Sequence, residues 1–152
     1  MNTSALGSTF EISLRILLLL NEVHGTALDE QQIGAVDFIS VYAADFDLLD
    51  ENLHGYSNYR FSEYPARKRL VSSAIKGLLL DGNVRFQMAP TGYKYSITEA
   101  GKSICKKLTS NYADEYRIAV QTVIKSFDNA NAELMLREIN RLTIQSLEGG
   151  QA

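Results

Sequence analysis

A chain of 152 residues with 45% hydrophobic content holds enough apolar side chains for one sizeable core; a single domain with a helical extension is expected, and two separate domains would be cramped. The lone cysteine, Cys105, excludes an internal disulfide framework, and the longest apolar run, Ile16 to Leu20, is far short of the ~20 residues a membrane span requires. A net charge of −3 and a pI near 5.4 weigh against a free-standing duplex reader, which draws most of its non-specific affinity from neutralising phosphates.

Ser8-Thr9-Phe10-Glu11 has the Ser-x-x-Glu spacing of a capping box. The helix it opens runs to about Val23 and is apolar on nearly all sides through Leu14, Ile16, Leu17, Leu18, Leu19 and Leu20. Such a helix must be covered from several directions, by the rest of the chain or by a partner or second copy. Neither a basic segment nor a cleavage-site pattern precedes it, which reads as a cytoplasmic protein. His24-Gly25 stops this helix, and Asp29 caps the next, with Gln32 placed for a return contact. Ile33, Val36, Ser40 and Val41 form its inward stripe, and Asp37 falls on or beside that stripe. A carboxylate there needs a partner, and Arg15 or Arg60 could meet it in a structural pair.

A tight turn to a third helix would follow in an ordinary helix-turn-helix. Instead Tyr42 to Tyr64 forms a long excursion rich in Asp, Asn, Tyr and Gly. Its acidic stretch, Asp45, Asp47, Asp50 and Glu51, reads as a solvated charged loop, while Tyr42, Phe46, Tyr56, Tyr59, Phe61 and Tyr64 argue against disorder. An ordered excursion of this kind presents a recognition surface, since Tyr is a preferred anchor at protein contacts. The residues expected to dock a partner are Leu53, His54, Tyr56, Tyr59, Arg60, Phe61, Glu63 and Arg67.

Leu70, Val71, Ala74, Ile75, Leu78 and Leu79 then mark an amphipathic helix ended by Asp81-Gly82. Val84, Phe86 and Met88, and again Tyr93, Tyr95 and Ile97, alternate at the period of half-buried strands, joined by a Pro90-Thr91-Gly92 turn. Thr98 caps a helix leading to Ile104, Cys105 and Leu108, which makes Cys105 a packed core thiol. Helix, hairpin, helix in this order is the core of a winged helix-turn-helix, with the hairpin as its wing. Two further amphipathic helices, Asn111 to Phe127 and Asn131 to Leu147, form a helical hairpin that either dimerises or packs back on its own domain, and the tail from Glu148 should fray. The fold class is therefore mainly α with a small β-hairpin wing: a winged-helix core over 8–110 with a 42–64 excursion, then a C-terminal helical extension over 111–147.

The chemistry on offer is thin. His24, His54, Asp37, Asp45, Asp47 and Asp50 match no metal-ligand spacing, and no Gly-rich phosphate loop or nucleophile elbow is present. No enzyme, cofactor or metal is expected. For nucleic acid, the helix in the recognition position offers Arg67, Arg69, Ser72, Ser73 and Lys76 to a major groove, and Arg85 and Lys94 on the wing could reach phosphates; an ordinary solvated helix face has the same composition.

The run Phe10 to Leu20, Leu28-Asp29 with Val36-Asp37-Phe38, Asn52-Leu53-His54-Gly55 followed by Arg60-Phe61-Ser62-Glu63 and Arg67, and Gly92-Tyr93-x-Tyr95-x-Ile97-Thr98 together resemble middle components of bacterial ABC-three-component systems, over roughly residues 8 to 116. The resemblance implies a small winged-helix adaptor that docks on an SMC-like or Rad50-like ABC ATPase and couples it to an effector in defence against phage and other invading DNA. It brings no catalytic or ligand motif. The alternative from the residues is an autonomous winged-helix DNA-binding transcriptional regulator.

Overall fold

The computed structural model describes residues 8–149. Six helices and one hairpin follow in the order α1 (Thr9–Glu22), α2 (Glu30–Val41), a 3-10 turn (Arg60–Ser62), α3 (Glu63–Leu80), β1 (Val84–Ala89), β2 (Gly92–Ile97), α4 (Glu99–Lys106), α5 (Asn111–Ser126) and α6 (Ala132–Gly149). Ser8 caps α1 by accepting from the Glu11 N–H, and Asp29 and Gln32 close a reciprocal capping box on α2. α3 ends as its Asp-Gly pair dictates: Gly82 takes a φ of 76° and the Asn83 N–H reaches back to the Leu78 carbonyl at 3.0 Å.

The apolar α1 is the axis of the molecule. It packs on α2, α3, α4, α5 and β2, and this chain alone buries Ile12 and the whole run Ile16 to Leu20. Leu28, between α1 and α2, exchanges two backbone hydrogen bonds with Tyr95 of β2, at 2.8 and 3.0 Å, so a single residue acts as a third strand and pins the hairpin against the start of α2. At the base of the hairpin, Val84 and Ile97 face each other and are buried. Farther out, Phe86, Met88 and Tyr93 continue the same face beyond the edge of the core and stand exposed. The alternation that marks a half-buried strand is therefore satisfied only at its inner end.

α5 and α6 add Ala113, Tyr116, Val120, Val123, Met135 and Ile139 to the same core. They do not close on each other as the expected helical hairpin. α5 lies on α1 and α2, whereas α6 packs mainly on α2 and the 3-10 turn. The turn between them is left-handed at Asp128, Asn129 and Ala130, with φ angles of 52°, 60° and 60°; Asp and Asn tolerate this region, whereas it costs Ala130 on the order of 1–2 kcal/mol. Gln32 offsets part of that cost by donating to the Ala130 carbonyl at 2.9 Å, which ties the turn to α2. Asn131 caps α6, and Glu148 and Gly149, expected to fray, are its last residues; positions 150–152 lie outside the described residues.

Where α3, the hairpin and α4 meet, Thr98 donates to the Gly82 carbonyl at 2.7 Å and its N–H to the Asn83 carbonyl at 3.1 Å. Gly101 follows in the first turn of α4, and a Cβ on it would lie 2.3 Å from the Asn83 carbonyl oxygen and 2.7 Å from Ile97 Cγ1. A backbone oxygen cannot retreat as a flexible side chain can. Gly101→Ala should therefore cost about 1–3 kcal/mol in urea unfolding, whereas Gly77→Ala in α3, where a Cβ meets nothing within 4 Å, should be neutral or stabilise by up to about 1 kcal/mol.

Candidate functional site

A lone arginine in an otherwise greasy helix demands a partner, and Arg15 of α1 finds Asp37 of α2. Its Nε donates to Oδ1 at 2.7 Å and its Nη2 to Oδ2 at 3.0 Å, a bidentate pair with both side chains out of water. Arg15 Nη1 also donates to Glu11 one turn earlier. Asp37 accepts in addition from the Tyr116 hydroxyl of α5 at 2.7 Å and from Arg67 Nη1 of α3 at 3.3 Å. Arg67 Nη2 donates to Glu63 at 2.7 Å, and Glu63 accepts from the Tyr42 hydroxyl at the end of α2, also at 2.7 Å. Arg60, the other cation in prospect for Asp37, is taken by Asp45 instead, at 2.7 and 2.9 Å.

His54 joins this network to the excursion. Its Nδ1 stands 3.5 Å from Arg67 Nη2, which can only donate, so Nε2 carries the proton toward the Tyr112 hydroxyl at 2.8 Å. Burial, then the charges of Arg15 and Arg67, hold the imidazole neutral, with its pKa down at about 4. Burial alone would push the Asp37 carboxyl up, but Arg15, Arg67 and Tyr116 outweigh it and hold the pKa at about 2. Burial pushes the Tyr112 hydroxyl up to about 12 and the Cys105 thiol, packed as expected, up to about 11.

The excursion is braced from within. Asn52 accepts from the Ala44 N–H at 2.8 Å and donates to Asp45 at 2.8 Å and to the Gly55 carbonyl at 3.0 Å. Phe61 and Phe46 reach the Phe38 ring of α2 at centroid separations of 6.1 and 6.4 Å. The acidic stretch is thus only partly the solvated loop anticipated: Asp47, Asp50 and Glu51 are exposed, but Asp45 is held in its pair with Arg60.

The eight residues expected to dock a partner fall into two layers. Phe61 is buried, Leu53 packs against the core, His54, Glu63 and Arg67 belong to the ion network, and Arg60 binds Asp45. Tyr56 and Tyr59 remain outward, 52% and 79% exposed. Of the residues proposed for nucleic acid, Arg67 points inward and Ser72 is half-buried, while Arg69, Ser73, Lys76 and Arg85 are exposed and Lys94 partly so. Between α2 and α3 a cleft of about 280 Å³ opens above the network, with Gly34, Phe38 and Tyr64 on its walls and Asp37 and Arg67 at its floor. Among the described residues, no three His, Cys, Asp or Glu side chains are grouped to hold a metal ion, and no helix is long and apolar enough to cross a membrane. Glu11, Tyr42, Tyr112 and Tyr116 are network members that sequence reading missed. The usable signal was the i, i+4 spacing of Glu11 with Arg15 and of Tyr112 with Tyr116.

Two measurements probe the network. Asp37→Ala leaves Arg15 buried without its main counter-charge and should cost about 3–5 kcal/mol in urea unfolding, whereas the double change Arg15→Met and Asp37→Leu should recover a large part of that loss. A folded pKa of about 4 for His54 lies below its unfolded value of 6.5, so the unfolded chain takes up the proton first. The His54 contribution is therefore complete above pH ~6.5 and is lost as pH falls toward ~4. Glu11, raised by burial, acts in the opposite sense over part of the same range, so the comparison to make is with His54→Gln, whose stability should fall less than wild type between those limits.

No curated protein and no solved structure matches the chain. Residues 5–149 match the family model described as ABC-three component (ABC-3C) system Middle Component 2. That match spans nearly the whole chain, including every element of the ion network and the braced excursion. The chain belongs to the family of ABC-three component system Middle Component 2 proteins.

Proposed function

We propose that this protein is a non-catalytic adaptor subunit, built on a winged helix-turn-helix, that docks on an SMC-like or Rad50-like ABC ATPase and couples it to an effector in a cytoplasmic bacterial defence complex. Membership in the middle-component family supports a role inside a multi-subunit system. The element order supports the winged-helix reading: helix, the Leu28 bridge, two helices, then a hairpin whose second strand takes the bridge.

The observation that carries the adaptor reading is the construction of the excursion. An ion pair, an asparagine hub and a cluster of phenylalanine rings hold a long segment in one shape, yet Tyr59 and Tyr56 are left outward. In this reading Tyr56 and Tyr59 touch the partner, while Leu53, His54, Arg60, Phe61, Glu63 and Arg67 position them. Preorganised tyrosines lose little side-chain entropy on binding, which suits them as anchors. The regulator reading is weaker, since Arg67 is committed to Asp37 and Glu63 and is withdrawn from any groove.

The test is co-purification of the tagged protein with the ATPase and effector encoded beside it, after nuclease treatment. Tyr56→Ala with Tyr59→Ala should lower ATPase recovery about tenfold or more, the range of one or two interface anchors, while Ile144→Ser on exposed α6 should leave it unchanged. Undiminished recovery with the double variant would remove this surface from the proposal.

A further inference from the structure

The modest net charge conceals segments of opposite sign. Residues 64–110 hold nine Lys and Arg against only Asp81 and Glu99, a balance of +7, while the remainder holds six against sixteen Asp and Glu, a balance of −10. The basic segment comprises α3, the hairpin and α4, which converge where Thr98 and Gly101 meet Gly82 and Asn83. On α3, Arg69, Ser73 and Lys76 recur at i, i+4 and i+7 along an exposed stripe opposite the buried Val71, Ala74, Ile75 and Leu78. The strand register pairs Gln87 with Lys94 and Arg85 with Ser96, which sets Arg85 and Lys94 on one face of the hairpin and the apolar Phe86, Met88 and Tyr93 on the other. Lys106 and Lys107 stand exposed at the end of α4.

Among the described residues, Arg69, Lys76, Arg85, Lys94, Lys106 and Lys107 form no ion pair, while Arg67 and Lys102 of the same segment do; outside it Arg15, Arg60, Arg117 and Arg141 are paired and Lys125 and Arg137 are not. Exposed or partly exposed, unpaired cations on three adjoining elements make a surface suited to a polyanion. We infer that the α3–hairpin–α4 end binds the phosphate backbone of duplex DNA without reading its sequence. Arg69 and Lys76 are separated by about 10 Å along the helix, close to three base-pair rises of duplex, with the short Ser73 between them allowing close approach. The stripe carries two cations and one hydroxyl, so its affinity comes from charge. Acidic surface of a second copy is the competing occupant within reach of the same chemistry, but such a head-to-tail contact builds rings or open chains rather than a two-fold dimer.

The test is fluorescence anisotropy of the full chain with two labelled duplexes of unrelated sequence and with poly-glutamate as a competing polyanion. Both duplexes should bind with similar micromolar affinity at about 50 mM salt, with a log–log salt slope of about −5 if all six cations meet phosphates. Arg69→Glu with Lys76→Glu, and separately Arg85→Glu with Lys94→Glu, should each weaken binding at least about tenfold, and Glu133→Gln in the first turn of α6 should not. Unchanged helical circular dichroism would show that each variant is folded, and because the two pairs lie on different elements, a folding failure of one leaves the other decisive. Absence of duplex binding at about 50 mM salt, or binding that survives both reversals, overturns the inference. Equal affinity for poly-glutamate overturns it in favour of an acidic protein surface, and salt-sensitive self-association without duplex binding overturns it in favour of a second copy.

Discussion

Asp37 is the constraint around which the rest is arranged. A carboxylate in the middle of a core is tolerable only if every lone pair is used, and four elements contribute to that end: Arg15 from α1, Asp37 itself from α2, Arg67 from α3 and Tyr116 from α5. Each donor has a fixed direction, so the angles among the helices follow from the geometry of one side chain. A purely apolar core of the same volume could equal its stability while permitting small rotations of one helix on another; the network admits far fewer.

The excursion extends the same principle outward. Tyr42 and Glu63 lie at its two ends, and the hydrogen bond between them closes it at its neck. His54 descends from its middle to meet Arg67 and Tyr112. The segment is therefore anchored at its neck and its centre to the network, through Tyr42 with Glu63 and through His54 with Arg67 and Tyr112. A docking surface of the kind proposed would gain from this, because ordering costs are met during folding instead of during association.

Much of the architecture was legible in the sequence, and the failures share a cause. Helix ends at Ser8, Asp29, Gly82 and Thr98 were visible because caps are local chemistry. The hairpin was visible because period-two alternation is local as well, although only Val84, Tyr95 and Ile97 of its apolar set found cover. Asp37 was recognised as needing a cation, and Arg15 supplies it, but nothing local in the sequence marks the Tyr116 hydroxyl, 79 positions away, as its further donor. The orientation of α6 was beyond reach, since it depends on three left-handed residues and a bond to Gln32 from far along the chain. The docking residues were chosen by composition, and composition does not distinguish an arginine that braces a loop from one that faces solvent.

The bonds that complete the network are long in sequence. Asp37 waits for Tyr116, 79 positions later, and Gln32 for Ala130, 98 positions later. A ribosome that has released α1, α2 and α3 has therefore delivered Arg15, Asp37 and Arg67 without the hydroxyl that completes them, and without the helix that covers them. During that interval the nascent chain exposes its most apolar helix beside a carboxylate that lacks one of its four hydrogen bonds, a state that favours chaperone capture.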